Sequence, residues 1–273
     1  MQYIFERLMK RKALMIGNSR GLKATPLDML HFTQFLMSYQ GGAWTRDEIE
    51  PWMDKDVNEL LNDVEKIVKD QNDYVIVYFT GHGGLQGDTI IEVNPKGKLI
   101  KENSLFGLAD RQLNILDCCR NIQTTPLPIY GRSRGMDTME QGLRDAVRAE
   151  YDELVMNAAP QFVKMYSCAE DESSYATKTG SYYTTNLIAC SKELLNNHDV
   201  ARIYQCHEAT ALKTTADVLK GEKREQHPVI IVTALFTLIS FPPSSFPTHP
   251  PDGQTAPYIP GHTLHLSHTT HTE

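Results

Sequence analysis

Two stretches decide how this chain folds: YVIVYFTGHGG, Tyr74 to Gly84, and QLNILDCCRN, Gln112 to Asn121. Each is a short apolar run that stops at a cluster of small and polar residues. An unbroken run rich in β-branched and aromatic side chains fits a strand covered on both faces, whereas a surface strand would alternate. KALMI, Lys12 to Ile16, runs in the same way into GNSRG, and FVKMY, Phe162 to Tyr166, into SCAEDESS. Helical spacing fills the gaps at Pro26 to Tyr39, Lys55 to Lys69 and Met139 to Met156. Further helices are expected from about Ser181 or Tyr182 towards Leu195 and over Ile203 to Leu219, with a last strand and its approach in Pro228 to Ser240. Thr25 is expected to cap the first helix, with Pro26 at its first helical position and Asp28 in its first turn. Strands alternating with helices predict an α/β three-layer sandwich with a mostly parallel central sheet flanked by helices.

In an open parallel sheet, ligands bind at the carboxyl ends of the strands. Topology alone therefore brings GNSRG, TGHGG, DCCRN and SCAEDESS to one edge. Two of these strings hold a nucleophile and a base. A cysteine attacks as its thiolate, with an unperturbed pKa of ~8.5, and a neighbouring imidazole makes it reactive at neutral pH. His82 can serve as that base and Cys119 as the nucleophile. Strand alternation puts Thr80 with His82 on one side and Asp117 with Cys119 on one side, so Cys118 points away into packing. Gly81, Gly83 and Gly84 are expected to let the backbone approach the substrate closely without a Cβ clash. The N–H groups of Gly83 and Cys119 can form an oxyanion hole, whose donors typically contribute ~10²–10³ in rate each.

Composition narrows the function classes. The chain has 273 residues, 41% of them hydrophobic, enough for one globular domain with a full core. A net charge of -7 argues against nucleic acid or anionic membrane as the main partner, because phosphate binding needs clustered Lys and Arg. Five cysteines without CxxC spacing fit free thiols in a reducing, cytoplasmic setting and point to no metal site. Charges from Glu6 to Lys12 interrupt every apolar run near the start, and Val229 to Phe241 is too short to span a bilayer.

TGHGG after one apolar strand and ILDCCRN on the next resemble the two active-site strings of the caspase-like clan of cysteine peptidases. The pattern is closer to metacaspases and bacterial caspase-like peptidases than to animal caspases. GNSRGL followed by LDMLHFTQFL resembles the family's first strand and helix, and YSCAEDESSYATKTGSYYTTNLI its small-subunit strand, loop and helix. The resemblance implies a cysteine endopeptidase with a His82–Cys119 dyad acting on polypeptide substrates; that chemistry requires no cofactor, and a protein activator is expected because an intracellular peptidase needs restraint. It also implies a role in regulated cell death or defence. The family's acidic pocket for Arg or Lys maps onto Asp28 and Asp117, and its small hydroxyl residue two before the His maps onto Thr80. Cleavage after Arg, then Lys, is the expectation, since a guanidinium pairs well with carboxylates. Where metacaspases usually carry HSG or DSG after the Cys, this chain has RN, and the acidic run that accompanies calcium dependence is reduced to Asp88 and Glu92. Calcium activation is therefore not expected.

Competing readings remain at this level. Animal caspases line the corresponding pocket with arginines and cleave after Asp, which Arg20 and Arg120 keep open. A catalytically inactive caspase-like scaffold, or another thiol hydrolase or transferase on the same sheet edge, would share the fold. Taken singly, His82 is an ordinary strand-end histidine, Cys119 a small buried hydrophobe and Asp28 a favourable first-turn acid. The expected organisation is a peptidase domain over residues 1–241, in which a large-subunit-like region covers 1–122, a loop 123–135 and a small-subunit-like region 136–241. A Pro/Thr/His-rich tail follows over 242–273. The loop holds Arg132 and Arg134, where an Arg-cleaving enzyme can nick itself; mass mapping that finds only intact chain would count against this. His262, His265, His268 and His271 recur every third residue and would share a face of an extended helix, although an unstructured polar tail is the simpler reading.

Overall fold

The computed structural model describes residues 9–121, 141–197 and 201–234. The loop 123–135 and the tail 242–273 lie outside the described residues. In chain order the elements are β1 (Arg11–Gly17), α1 (Thr25–Met37), β2 (Ile49–Met53), α2 (Val57–Lys69), β3 (Tyr74–Thr80), β4 (Gly83–Gln86), β5 (Asp88–Glu92) and β6 (Leu99–Lys101). They continue with β7 (Arg111–Asp117), α3 (Gln141–Asn157), β8 (Gln161–Tyr166), β9 (Ala176–Thr177), β10 (Gly180–Ser181), α4 (Tyr182–Asn197), α5 (Ile203–Glu222) and β11 (Val229–Ala234).

Six strands form the main sheet in the order β11-β8-β7-β3-β1-β2. All neighbours are parallel except β11, which runs antiparallel to β8 along one edge. Because β-strand side chains alternate, each apolar run feeds two cores. Leu14, Ile16, Val75, Val77, Phe79 and Leu116 pack on one face, and α2 delivers Leu60, Val64 and Ile67 at helical spacing against them. Ala13, Met15, Ile76, Tyr78, Leu113 and Ile115 pack on the other, against Met29, Phe32 and Leu36 of α1, Tyr183 and Leu187 of α4 and Cys206 of α5. Burial of each Val, Leu, Ile, Met or Phe side chain among them favours folding by about 1.5–3 kcal/mol. The result is the three-layer α/β sandwich that the apolar runs predict. Among the described residues no helix is long and apolar enough to cross a membrane.

Two features differ from expectation. α1 begins one residue earlier than a Thr25 cap requires: Ala24 occupies the cap position in helical conformation without a side-chain cap, and Thr25 is buried inside the first turn. The Ala24 carbonyl instead takes the N–H groups of Leu27 and Asp28, which holds Asp28 in that turn. The sheet also has a fifth parallel strand, β2, whose IEPWM lacks an apolar run; its Pro51 is tolerated because β2 is an edge.

At the amino end of the sheet, remote from the strand ends that carry the polar strings, Arg11 is buried and joins β1 to α3. Its guanidinium donates to Asp152 at 2.8 Å, to Glu48 at 3.3 Å and to the carbonyls of Gly42 and Ala43, and it lies over the Trp44 ring. Burial alone would raise the Glu48 carboxyl. The Arg148 and Thr45 donors and the charges of Arg11 and Arg148 outweigh it, lowering the pKa from 4.5 to about 2. A carboxylate depressed on folding contributes stability that is present above its unfolded pKa and lost as pH falls through the folded one. Glu48→Gln is therefore expected to flatten the acid limb of the stability profile between about pH 4.5 and about 2, and Arg11→Met to destabilise by about 3 kcal/mol, both checked by chemical denaturation across pH. An unchanged acid limb in Glu48→Gln would refute the assignment.

Candidate active site

The parallel ladder places Gly17 beside Thr80 and Thr80 beside Asp117, so β1, β3 and β7 end level. Past those ends the backbone stays tied: Asn18 N–H donates to Thr80, Gly81 N–H to Asp117 and Ser167 N–H to Leu116. GNSRG, TGHGG, DCCRN and SCAEDESS thus meet at one edge.

His82 is partly exposed there. Its Nε2 lies 2.6 Å from the Arg20 carbonyl oxygen. A carbonyl only accepts, so Nε2 carries the proton and donates it, leaving the Nδ1 lone pair as the basic position. An oriented imidazole is what a thiol needs from its base. Next to it, Gly83 is required by close approach: a Cβ would fall 2.6 Å from Cys118 Sγ and 2.9 Å from the Cys119 carbonyl oxygen. The His string and the Cys string are therefore in direct contact, and the close approach at Gly83 is to the Cys string. Glu92 N–H donates to the His82 carbonyl, so antiparallel alternation makes Gly83–Ile91 the pair without ladder bonds. Gly83 N–H consequently faces away from β5, on the open edge of the β4-β5-β6 sheet.

Of the five thiols, all free, Cys119 alone is not fully buried. Its Sγ sits 3.8 Å from the Ser174 carbonyl oxygen, an acceptor for the thiol proton. Burial pushes the Cys119 thiol up, against the hydrogen bonds from the Ser173–Ser174 turn. Cys118 packs in the α2-side core, where burial raises its thiol much further. Cys168 is wholly buried and donates towards the carbonyls of Cys118 and Glu172. Glu172 lies at the surface of the same loop and accepts from His227 Nδ1 at 2.6 Å.

Asp28 and Asp117 come from different elements, α1 and β7, and both are buried beside the same edge. Asp28 accepts from Ser181 N–H at 2.8 Å and from the Thr80 hydroxyl at 3.3 Å. Gly180 makes room for it, since a Cβ there would lie 2.6 Å from the carboxylate. Asp117 accepts from the hydroxyls of Ser174 at 2.8 Å and Thr184 at 2.6 Å, from the Ser181 hydroxyl and from Thr184 N–H. Burial, and after it the neighbouring Asp117 carboxylate, drive Asp28 well above the usual carboxyl range, against the bonds from Ser181 and Thr80. Two neighbouring buried carboxyl groups disfavour a second negative charge, and a nearby cation would favour it.

The two arginines that could make a pocket for an acid are engaged elsewhere. Arg120 is buried over the Tyr166 ring, with Nε on Thr89 and Nη2 on Glu170. Arg20 pairs with Glu92 at 3.0 Å.

Sequence reasoning missed Ser174, Ser181 and Thr184 as hydroxyl donors to Asp117, because Ser and Thr in loops and at a helix start read as caps and turns. It also missed Arg20 and Glu92 as the surroundings of His82. Arg20 and Ser174 had a signal in position alone, lying in strings already placed at the site edge, and Glu92 lies across a short ladder from one; Ser181, in β10, and Thr184, in the first turn of α4, had none. Ser174 is notable because its carbonyl faces Cys119 while its hydroxyl occupies Asp117.

Comparison with known proteins agrees with this architecture. A family model described as the caspase domain matches residues 10–238. Among solved structures, caspase-1 of Spodoptera frugiperda superposes with a TM-score of 0.54 at 15% identity, covering 86% of this chain and 90% of that one. A Geobacter sulfurreducens protein gives 0.50 at 16% identity, covering 82% and 93%. No curated protein matches the chain in sequence. With the family model spanning the sheet, its flanking helices and the strings that meet at its edge, the chain belongs to the caspase domain family, a family of cysteine-type peptidases.

Proposed function

We propose that the protein is a cytoplasmic cysteine endopeptidase that hydrolyses peptide bonds after Arg, and less readily after Lys. The observation that carries this reading is the buried Asp28–Asp117 pair at the edge that also holds His82 and Cys119. A guanidinium between two carboxylates gains charge-assisted, planar hydrogen bonds that an ammonium matches less well. The commitment of Arg120 to Thr89, Glu170 and Tyr166 supports an acidic rather than a basic pocket.

In the proposed reaction the Cys119 thiol gives its proton to His82 Nδ1 and the thiolate attacks the scissile carbonyl. The N–H groups of Gly83 and Cys119 receive the oxyanion. Collapse expels the amine, protonated by His82, and leaves a thioester on Cys119. Water, activated by the same imidazole, hydrolyses it. His82 keeps its Nε2 proton on the Arg20 carbonyl throughout. No metal or organic cofactor takes part in these steps.

The resting arrangement is restrained, because Ser174 occupies both the nucleophile and Asp117. A substrate Arg has to displace the Ser174 hydroxyl from Asp117, and the thiol has to leave the Ser174 carbonyl. A protein activator that moves the 169–175 segment would do both, which suits regulated proteolysis of polypeptides in cell death or defence.

Fluorogenic peptides ending in Arg, Lys or Asp test the reading. Turnover is expected in the order Arg over Lys, with Asp inert, abolished by Cys119→Ala and retained by Cys118→Ala; turnover of the Asp peptide would overturn the acidic pocket. The raised Asp28 carboxyl adds a pH signature. Binding a guanidinium requires the ionised form, so Arg binding releases a proton and KM for Arg peptides falls as pH rises through the Asp28 pKa. Asp28→Asn should flatten that dependence; a profile that it leaves unchanged would assign the titration elsewhere. For the free enzyme, the partial exposure of Cys119 predicts that iodoacetamide labels it before the other four cysteines, and its raised thiol predicts a rate still climbing above pH 9. A rate that levels off near neutrality would show a resting thiolate instead.

A further inference from the structure

His82 is gripped from two directions by one residue across the β4-β5 ladder. The Glu92 backbone N–H donates to the His82 carbonyl at 2.9 Å. The Glu92 carboxylate, 7% exposed, pairs through Oε1 with Arg20 Nη1 at 3.0 Å, and the Arg20 carbonyl is the acceptor for His82 Nε2. Asn18 closes the circuit: its Nδ2 donates to Glu92 Oε1 at 3.0 Å and to the Glu92 carbonyl at 2.9 Å, while its Oδ1 accepts from Arg20 N–H at 2.9 Å. Gly97 stands against the Arg20 guanidinium, where a Cβ would fall 3.1 Å from Nη1. The GNSRG loop is thus held at Arg20 through its N–H and its side chain, both converging on Glu92 or on Asn18 bound to it.

We propose that Glu92, acting through Arg20 and with Asn18 as brace, is a positioning residue for His82 that sets which ring nitrogen faces the thiol. The proposal rests on the reading of His82 as the catalytic base. The physical reason is that an imidazole has two tautomers and a rotatable ring, and the bond from Nε2 selects one of each. That bond is only as fixed as its acceptor. The Arg20 carbonyl lies in a loop, and loops move unless tied down. A half-exposed arginine would ordinarily sample many rotamers, but here a buried carboxylate holds it. Glu92 therefore couples the backbone and the ring of His82 as one unit. Removing its charge should loosen the ring and leave the Asp28–Asp117 pocket intact, because among the described residues no side-chain hydrogen bond joins the two clusters.

The experiment compares wild type with Glu92→Gln, Arg20→Ala, Arg20→Lys and Glu92→Gln/Arg20→Ala. Two readouts are taken: kcat and KM on an Arg peptide, and the ¹⁵N signals of the His82 ring, identified by their loss in His82→Ala. Glu92→Gln and Arg20→Ala are each expected to lower kcat about tenfold to 10²-fold with KM little changed, since the loss is one of orientation. The double variant should be no worse than either single one, as for residues acting in one chain of contacts. Arg20→Lys, which keeps a cation for Glu92, should regain most of the rate. The ring signals should move from a pure Nε2–H form in wild type to a mixture in the two weak variants. Unchanged kcat, additive losses or an unchanged tautomer in both single variants would overturn the proposal. Should Glu92→Gln not fold, Arg20→Ala carries the test, its side chain being 48% exposed. If wild type hydrolyses no peptide, the ring signals still decide: a tautomer shift in the variants upholds the positioning role while the peptidase reading falls, and an unshifted tautomer overturns the role itself.

Discussion

Everything at the site depends on the level ending of four adjacent parallel strands. Three backbone hydrogen bonds beyond the ladder, Asn18 to Thr80, Gly81 to Asp117 and Ser167 to Leu116, keep the chain in register where regular pairing stops. Within that short reach the sheet places His82, Cys119 and Asp117, the proposed base, nucleophile and one of the two proposed pocket carboxylates. The strands can end level because their apolar runs fill two cores at once, so a one-residue slip would exchange every side chain between faces. Packing on both faces is thus what fixes the chemistry at the edge.

Buried ionisable groups at the two ends of the sheet are handled differently. At the amino end, Arg11 is paired with Glu48 and Asp152, the usual condition for a buried guanidinium. At the carboxyl end, Asp28 and Asp117 are surrounded by hydroxyl and N–H donors, while burial and then the Asp117 carboxylate push the Asp28 carboxyl above its usual range. One end is a completed ion cluster that holds α3 to β1. The other is a carboxyl pair whose electrostatics favour an incoming cation, with Ser174 lying across it and across Cys119.

Much of this was legible in the residues. Uninterrupted runs such as YVIVYF announce strands covered on both sides, and the small and polar residues after each run announce an edge with chemistry. β2 was not legible, because IEPWM at an edge needs neither an apolar run nor a full set of N–H donors, and Pro51 reads as a breaker. The β4-β5-β6 hairpins were hidden by their glycines, which serve close approach and turning rather than strand propensity. The pairing of Asp28 with Asp117 joins residues far apart in sequence and was reached only through the family resemblance. Ser174, Ser181 and Thr184 stayed hidden because their hydroxyls look locally like caps and turns, while their acceptor, Asp117, lies on another strand. Glu92 reaches His82 across a ladder, a relation that no local pattern carries.

The central claim is that one sheet edge joins a Cys119 nucleophile to an acidic pocket for Arg. A crystal structure of the protein alkylated by a peptidyl-arginine chloromethyl ketone tests it most directly. The account predicts a thioether on Cys119, the guanidinium between Asp28 and Asp117, and Ser174 displaced from Cys119 and Asp117. An adduct on Cys118, or an arginine side chain lying away from both carboxylates, would contradict it.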